Sequence, residues 1–193
     1  MQKFLMDLLN LLNKMTDKQK YRLQEAAKVL VDFCELNNIP KPKVKLYQSR
    51  NSNCGYYQYR SNTIHIDPSA CAREVANPAM RCWSHPHYFT DRTVYGVLHH
   101  EFGHYLHEKL KFPNIPKGKQ ITSYEPNKDE RFAESIKLFI SNPMLLKEYN
   151  SERYEALLKL GLKPLHQKPW EQVMQEDGMS PRFVKRAKEK IAW

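Results

Sequence analysis

The chain has 193 residues, 41% of them hydrophobic, which suits one folded domain and excludes wholesale disorder. No apolar run approaches the ~18 residues that a membrane-spanning helix needs, and the formal net charge of +10 raises a nucleic-acid or acidic partner without specifying one. The stretch from Met1 to Met15 has the length of an export signal, but Asp7, Asn10 and Asn13 interrupt its apolar part and no small-residue cleavage site follows. Phe4, Leu5, Leu8, Leu11, Leu12 and Met15 instead fit a short amphipathic helix, so the expected location is the cytoplasm. In that compartment Cys34, Cys54, Cys71 and Cys82 read as thiols rather than as a disulfide framework.

Thr16-Asp17 supplies the start of a second helix. Its apolar residues, Tyr21, Leu23, Ala27, Leu30, Val31, Cys34 and Leu36, have helical spacing, and Asn37-Asn38-Ile39-Pro40 ends it. After Pro42, Val44 to Tyr47 alternates like a short strand. Gly55 to Arg60 and Thr63 to Asp67 flank Ser61-Asn62 and read as a hairpin with a two-residue turn, which Pro68 closes. Residues 69–90 show little periodicity. Cys71, Cys82, His85 and His87 offer ligand types for a second, structural zinc site, although their spacing matches no standard pattern. The same loop also reads as a lid or a substrate-contacting wall.

The stretch from Thr93 to Lys111 carries the chemistry. Val97, Leu98, Phe102, Tyr105, Leu106 and Leu110 recur near the helical period, with Asp91 or Thr93 as cap and Phe112-Pro113 as stop. Within this helix His100-Glu101-Phe102-Gly103-His104 is an H-E-x-x-H motif. Residues four apart lie on one helical face, so two imidazoles can reach one metal ion with a carboxylate beside them. A hydrolytic zinc site commonly takes a third protein ligand. His107 and Leu110 stand where a metzincin would have Gly and His, which excludes that pattern. A second helix begins near Lys128, and its Glu130 and Glu134 are both candidates for the third ligand. Glutamates at i and i+4 repel by a few tenths of a kcal/mol on a solvated face, a cost that a cation between them reverses. On the bland reading, Lys137 simply offsets Glu134 on an ordinary charged face. The remainder is helical with breaks: Met144 to Tyr149, Glu152 to Leu160, Trp170 to Gln175, and a basic helix from Pro181 to Ile191.

HEFGHYLH followed by ERFAESIKLF resembles the gluzincin zinc metallopeptidases, in particular the lethal-factor-like group and related small bacterial and phage enzymes. The resemblance covers residues 55 to 142. It implies a zincin-like α+β fold, mostly helical, with a small antiparallel or mixed sheet beside the motif helix. A single metallopeptidase domain would then span 1–193, with N-terminal helices over 1–40, the zincin core over 43–142 and a C-terminal helical extension over 143–193. One Zn2+ would be held by His100, His104 and Glu130, with Glu134 supporting a ligand histidine. Glu101 would be the catalytic base, and Tyr124 would act on the oxyanion or leaving group. An edge strand within Gly55 to Asp67 would pair with an extended protein or peptide substrate. The expected protein is a monomeric endopeptidase with no membrane partner. An alternative of another class is a basic nucleic-acid-associated protein whose zinc is structural or vestigial. A third reading joins the two, with the basic C-terminal helices docking a peptidase onto nucleic-acid-bound proteins.

Overall fold

A computed structural model of the protein describes residues 15–49, 53–71, 93–122 and 125–191. The expected N-terminal helix before Met15, most of the 69–90 loop with Cys82, His85 and His87, and Tyr124 lie outside the described residues. The described residues form an α+β fold with a small mixed sheet. Among them no helix is long and apolar enough to cross a membrane.

Helix α1 (Asp17–Leu36) starts where the sequence places it, because Thr16 and Gln19 form a reciprocal capping box. Its buried stripe differs from the expected one. Ala26, Leu30, Phe33 and Cys34 face the core, whereas Tyr21, Val31 and Leu36 are exposed. Gln19 extends the inward stripe as a polar residue, donating to the Pro68 carbonyl at 2.8 Å. Its buried amide is satisfied, so a polar residue occupies an inward position that the apolar residues alone do not mark.

Strands β1 (Lys43–Leu46), β2 (Gly55–Gln58) and β3 (Thr63–Ile66) form a sheet of order β1-β3-β2. The expected hairpin is present, with β2 antiparallel to β3. Its connection is longer than the two-residue turn: a 3-10 turn at Tyr59–Ser61 leads to Asn62 at φ 52°, a left-handed position that asparagine tolerates. β1 runs parallel to β3. Alternation puts Ile64 and Ile66 in the core and turns His65 to the other face.

Helix α2 (Val94–His104) holds the H-E-x-x-H motif, and its last turn widens into a π-helical turn at Tyr105–Lys109. Helix α3 (Lys128–Ser141) is capped by Asn127, which accepts from the Asp129 and Glu130 amides at 2.9 Å each. Asn142 and Asn150 cap α4 (Pro143–Tyr149) and α5 (Ser151–Lys159) in the same way. Helices α6 (Trp170–Glu176) and α7 (Pro181–Ile191) close the chain. One hydrophobic cluster runs from Ala26 in α1 to Ala187 in α7. At its centre Phe33 meets Phe102 and Phe139 edge-on, with centroids 6.0 and 6.3 Å apart, which ties α1 to both α2 and α3.

The α2–α3 crossing sets the position of the motif. A Cβ built on Gly103 would stand 2.5 Å from the Ala133 Cα and 3.1 Å from its Cβ. The backbones touch there because neither position carries more than a methyl group. Gly103→Ala would normally gain about 1 kcal/mol of helix propensity. Here the new methyl meets backbone, which has no rotamer to yield, and overpacking of this kind costs about 1–3 kcal/mol or more. The urea midpoint of Gly103→Ala is therefore expected to fall. A rise would show that the two helices do not meet at this point.

Candidate metal centre

The crossing brings α2 and α3 together on the polar side of both helices. His100 Nε2 and His104 Nε2 lie 3.2 Å apart. Glu130 Oε2 is 3.0 Å from the first and 3.5 Å from the second. Two ligands of a tetrahedral ion bound at about 2.0–2.1 Å are separated by roughly 3.3 Å, so these three distances are those of a tetrahedron's edges. Glu130 Oε2 is buried, yet it makes no hydrogen bond of acceptable direction. A buried, unsatisfied carboxylate oxygen aimed at two ring nitrogens is costly unless a cation joins them. Among the described residues His100, His104 and Glu130 form the one group of His, Cys, Asp or Glu side chains close enough to hold a metal ion.

The tautomer of His100 follows from its other side. His100 Nδ1 is 2.7 Å from Glu134 Oε1, and a carboxylate only accepts, so Nδ1 carries the proton. In the neutral ring this leaves the Nε2 lone pair facing Glu130 and His104. Glu134 is in turn held by Lys137, whose Nζ stands 2.7 Å from each of its oxygens. Both charges are buried. Lys137 therefore does not offset Glu134 on a solvated face: it is the inner end of a buried Lys137–Glu134–His100 relay.

The electrostatics follow this layout. Burial disfavours a charged His100, but Glu130 and Glu134 outweigh it and push the imidazole up to about 9. Burial would raise Glu130, but the His100 and His104 rings hold it down at about 2. Glu134 is likewise held at about 2 against burial, by Lys137 first and His100 second. Glu101 behaves differently. Burial lifts it above the ordinary carboxylate range, opposed by His100 and His104 and by a backbone hydrogen bond from Tyr57 of β2. It is the carboxylate of this cluster most ready to take a proton.

Further groups that spacing alone does not reveal brace the site. His99, fully buried beside the ligand pair, bonds through Nε2 to the Ala26 carbonyl at 3.2 Å and fixes α2 against α1. His107 does not join the cluster. The π-helical turn stacks it on Phe132, with centroids 5.0 Å apart, and sets its Nδ1 3.2 Å from Asp129. The loop before α3 is clamped by Glu125, which accepts from the Ile121 and Thr122 amides at 2.8 and 3.0 Å and from Arg153 at 2.7 Å. This anchors the segment adjoining Tyr124, which itself lies outside the described residues. Only Lys137 had a sequence signal, its i,i+3 spacing from Glu134.

Comparison with protein-family models, curated proteins and solved structures finds no match to this chain.

The shifted pKa values give the metal-free protein a pH signature. An imidazole at 6.5 in the unfolded chain and about 9 in the fold contributes stability that is complete below pH 6.5 and lost as pH rises through 9. Glu130 and Glu134, lowered from 4.5 to about 2, contribute stability above pH 4.5 that is lost toward pH 2. The Tm of chelator-treated protein is therefore expected to fall between pH 6.5 and 9, with a second fall below pH 4.5. With metal bound, the His100 Nε2 lone pair is in use, and the alkaline fall should disappear.

Proposed function

We propose that this protein is a zinc-dependent endopeptidase of the gluzincin kind, with His100, His104 and Glu130 as zinc ligands and Glu101 as general base. The single observation that carries this reading is the convergence of His100 Nε2, His104 Nε2 and the unsatisfied Glu130 Oε2 within 3.0–3.5 Å of one another. Two imidazoles and one carboxylate are a hydrolytic zinc set, and three protein ligands leave a fourth position for water or substrate, whereas a structural site is closed by four.

Bound zinc would supply a water of near-neutral pKa and polarise a carbonyl. The remaining work falls to the chain itself. The Glu101 carboxylate takes the proton of the attacking water and returns it to the leaving amine. Its partial desolvation suits both halves of that task, because a raised pKa makes the proton easier to accept and still available to give. Glu134 and Lys137 keep the proton of His100 on Nδ1 and hold the ring in place. Among the described strands, β2 lies at one edge of the sheet. Asp67 N donates to Cys54 O at 2.8 Å, so the alternate residues Gly55 and Tyr57 turn their amides away from β3 and along the side where Glu101 lies. An extended peptide laid beside β2 would pass the base and the ligand cluster.

Glu101→Gln tests the assignment. The variant keeps the shape of the side chain but cannot accept a proton. It should bind zinc as the parent does, while cleavage of a casein or peptide-library substrate drops by about 10²–10⁴-fold. Full cleavage by zinc-loaded Glu101→Gln would overturn the mechanism.

A further inference from the structure

The outer face of the sheet has no part in the peptidase reading, yet its composition is unusual. Pairing register places Lys45, His65 and Tyr56 side by side across the three strands on the face opposite Ile64 and Ile66. The Tyr56 and His65 rings stack in parallel, with centroids 4.5 Å apart and planes within 5°. Tyr47 closes on both edge-on, at 5.2 and 5.9 Å. The cluster is held in place: Tyr47 donates to the Asn53 carbonyl at 3.0 Å, and His65 Nε2 lies 3.1 Å from Gln58 Oε1. Tyr56 remains 39% exposed. At the hairpin end Tyr59, 48% exposed, lies under the ammonium groups of Lys109 and Lys111, 5.8 and 5.5 Å from its ring centre.

Basic residues predominate along this stretch of sequence, while Asp67, the next residue on the His65 face, is buried and accepts hydrogen bonds from Ser49 and Ser69. From Pro40 to Ile66 the chain has Lys41, Lys43, Lys45, Arg50 and Arg60 and no Asp or Glu. Lys41 pairs with Glu35, whereas Lys43 and Lys45 form no ion pair among the described residues. Basic groups that rim fixed, exposed aromatic rings fit a ligand with regularly spaced anions and flat apolar faces between them, which describes single-stranded nucleic acid. Helix α7 is also basic on its exposed side, through Arg182, Lys185, Arg186 and Lys188, but it presents no exposed aromatic ring there. It offers phosphate contacts and no stacking.

We propose that the open face of the sheet binds single-stranded nucleic acid, with bases stacking on the Tyr56–His65 pair and phosphates meeting Lys43 and Lys45. The duplex is excluded as the preferred form, since its bases are already stacked on one another.

Fluorescence anisotropy of the full chain tests this with two labelled probes of roughly 15 units, an oligothymidylate and an abasic sugar-phosphate oligomer of equal length and charge. The parent should bind the oligothymidylate more tightly. Tyr56→Ala should weaken that binding about tenfold and leave the abasic affinity unchanged, while Tyr56→Phe, which keeps the ring, should restore it. Lys45→Gln should weaken both probes and lower the salt slope by about one. Circular dichroism establishes that each variant is folded, and Tyr56→Phe guards against a global effect of Tyr56→Ala. Equal affinity for the two probes would overturn the proposal. So would loss of binding in Lys185→Gln/Arg186→Gln with Tyr56→Ala unaffected, or no binding to either probe at low salt. None of these readouts depends on zinc or on peptide cleavage.

Discussion

The contact between Gly103 and Ala133 is the constraint on which the rest of this structure depends. An ordinary helix pair is held apart by side chains, typically with axes 8–10 Å apart. Here the smallest residues meet, and a Cβ on Gly103 would already collide with backbone. A glutamate side chain is short, and only so close a crossing lets Glu130 and Glu134 both reach His100 on the neighbouring helix. The glycine inside the H-E-x-x-H motif therefore serves the partner helix rather than the motif's own geometry. Phe33 completes the arrangement by wedging α1 against Phe102 and Phe139, so that both site helices lean on one aromatic centre.

So tight a crossing concentrates charge. His100, His104, Glu101, Glu130, Glu134 and Lys137 share a small, largely buried volume. Buried charges are tolerated only when each is paired. The partners divide into two sets. Lys137, Glu134 Oε1 and the Nδ1 side of His100 are hydrogen-bonded at 2.7 Å and make a structural relay, with Glu134 Oε2 ion-paired to Lys137 at 2.7 Å but, like Glu130 Oε2, without a directed hydrogen bond. On the other side of the same ring, three electron-pair donors face one another and Glu130 Oε2 lacks a directed hydrogen bond. Of the two sides of this imidazole, the Nε2 side is therefore the one where a cation could be held. A proton shared among the three groups relieves their repulsion in the metal-free protein, and a divalent cation would relieve it more completely.

Much of this was legible in the sequence because the signals are short-range. Thr16-Asp17 at the start of α1 and the onset of α3 near Lys128 each mark a helix end within a few residues. The four-residue spacing of His100 and His104 likewise fixes their common face. What escaped depends on contacts distant in sequence. Spacing cannot rank Glu130 against Glu134, since both lie on one stripe; the crossing does so, by turning Glu130 to Nε2 and Glu134 to Nδ1. The parallel pairing of β1 with β3 is equally non-local. In α1 the apolar pattern misled, because Gln19 buries a satisfied amide while Tyr21 stays outside. Neither the π-helical turn after His104 nor the buried state of Lys137 has a local signature.

The most direct measurement on the account as a whole is an anomalous-diffraction map of crystals grown with stoichiometric zinc. One ion per chain is expected, within about 2.0–2.2 Å of His100 Nε2, His104 Nε2 and a Glu130 carboxylate oxygen, with Glu134 still on His100 Nδ1 and outside the coordination sphere. Zinc bound by other side chains, or by Glu134 in place of Glu130, would contradict the account.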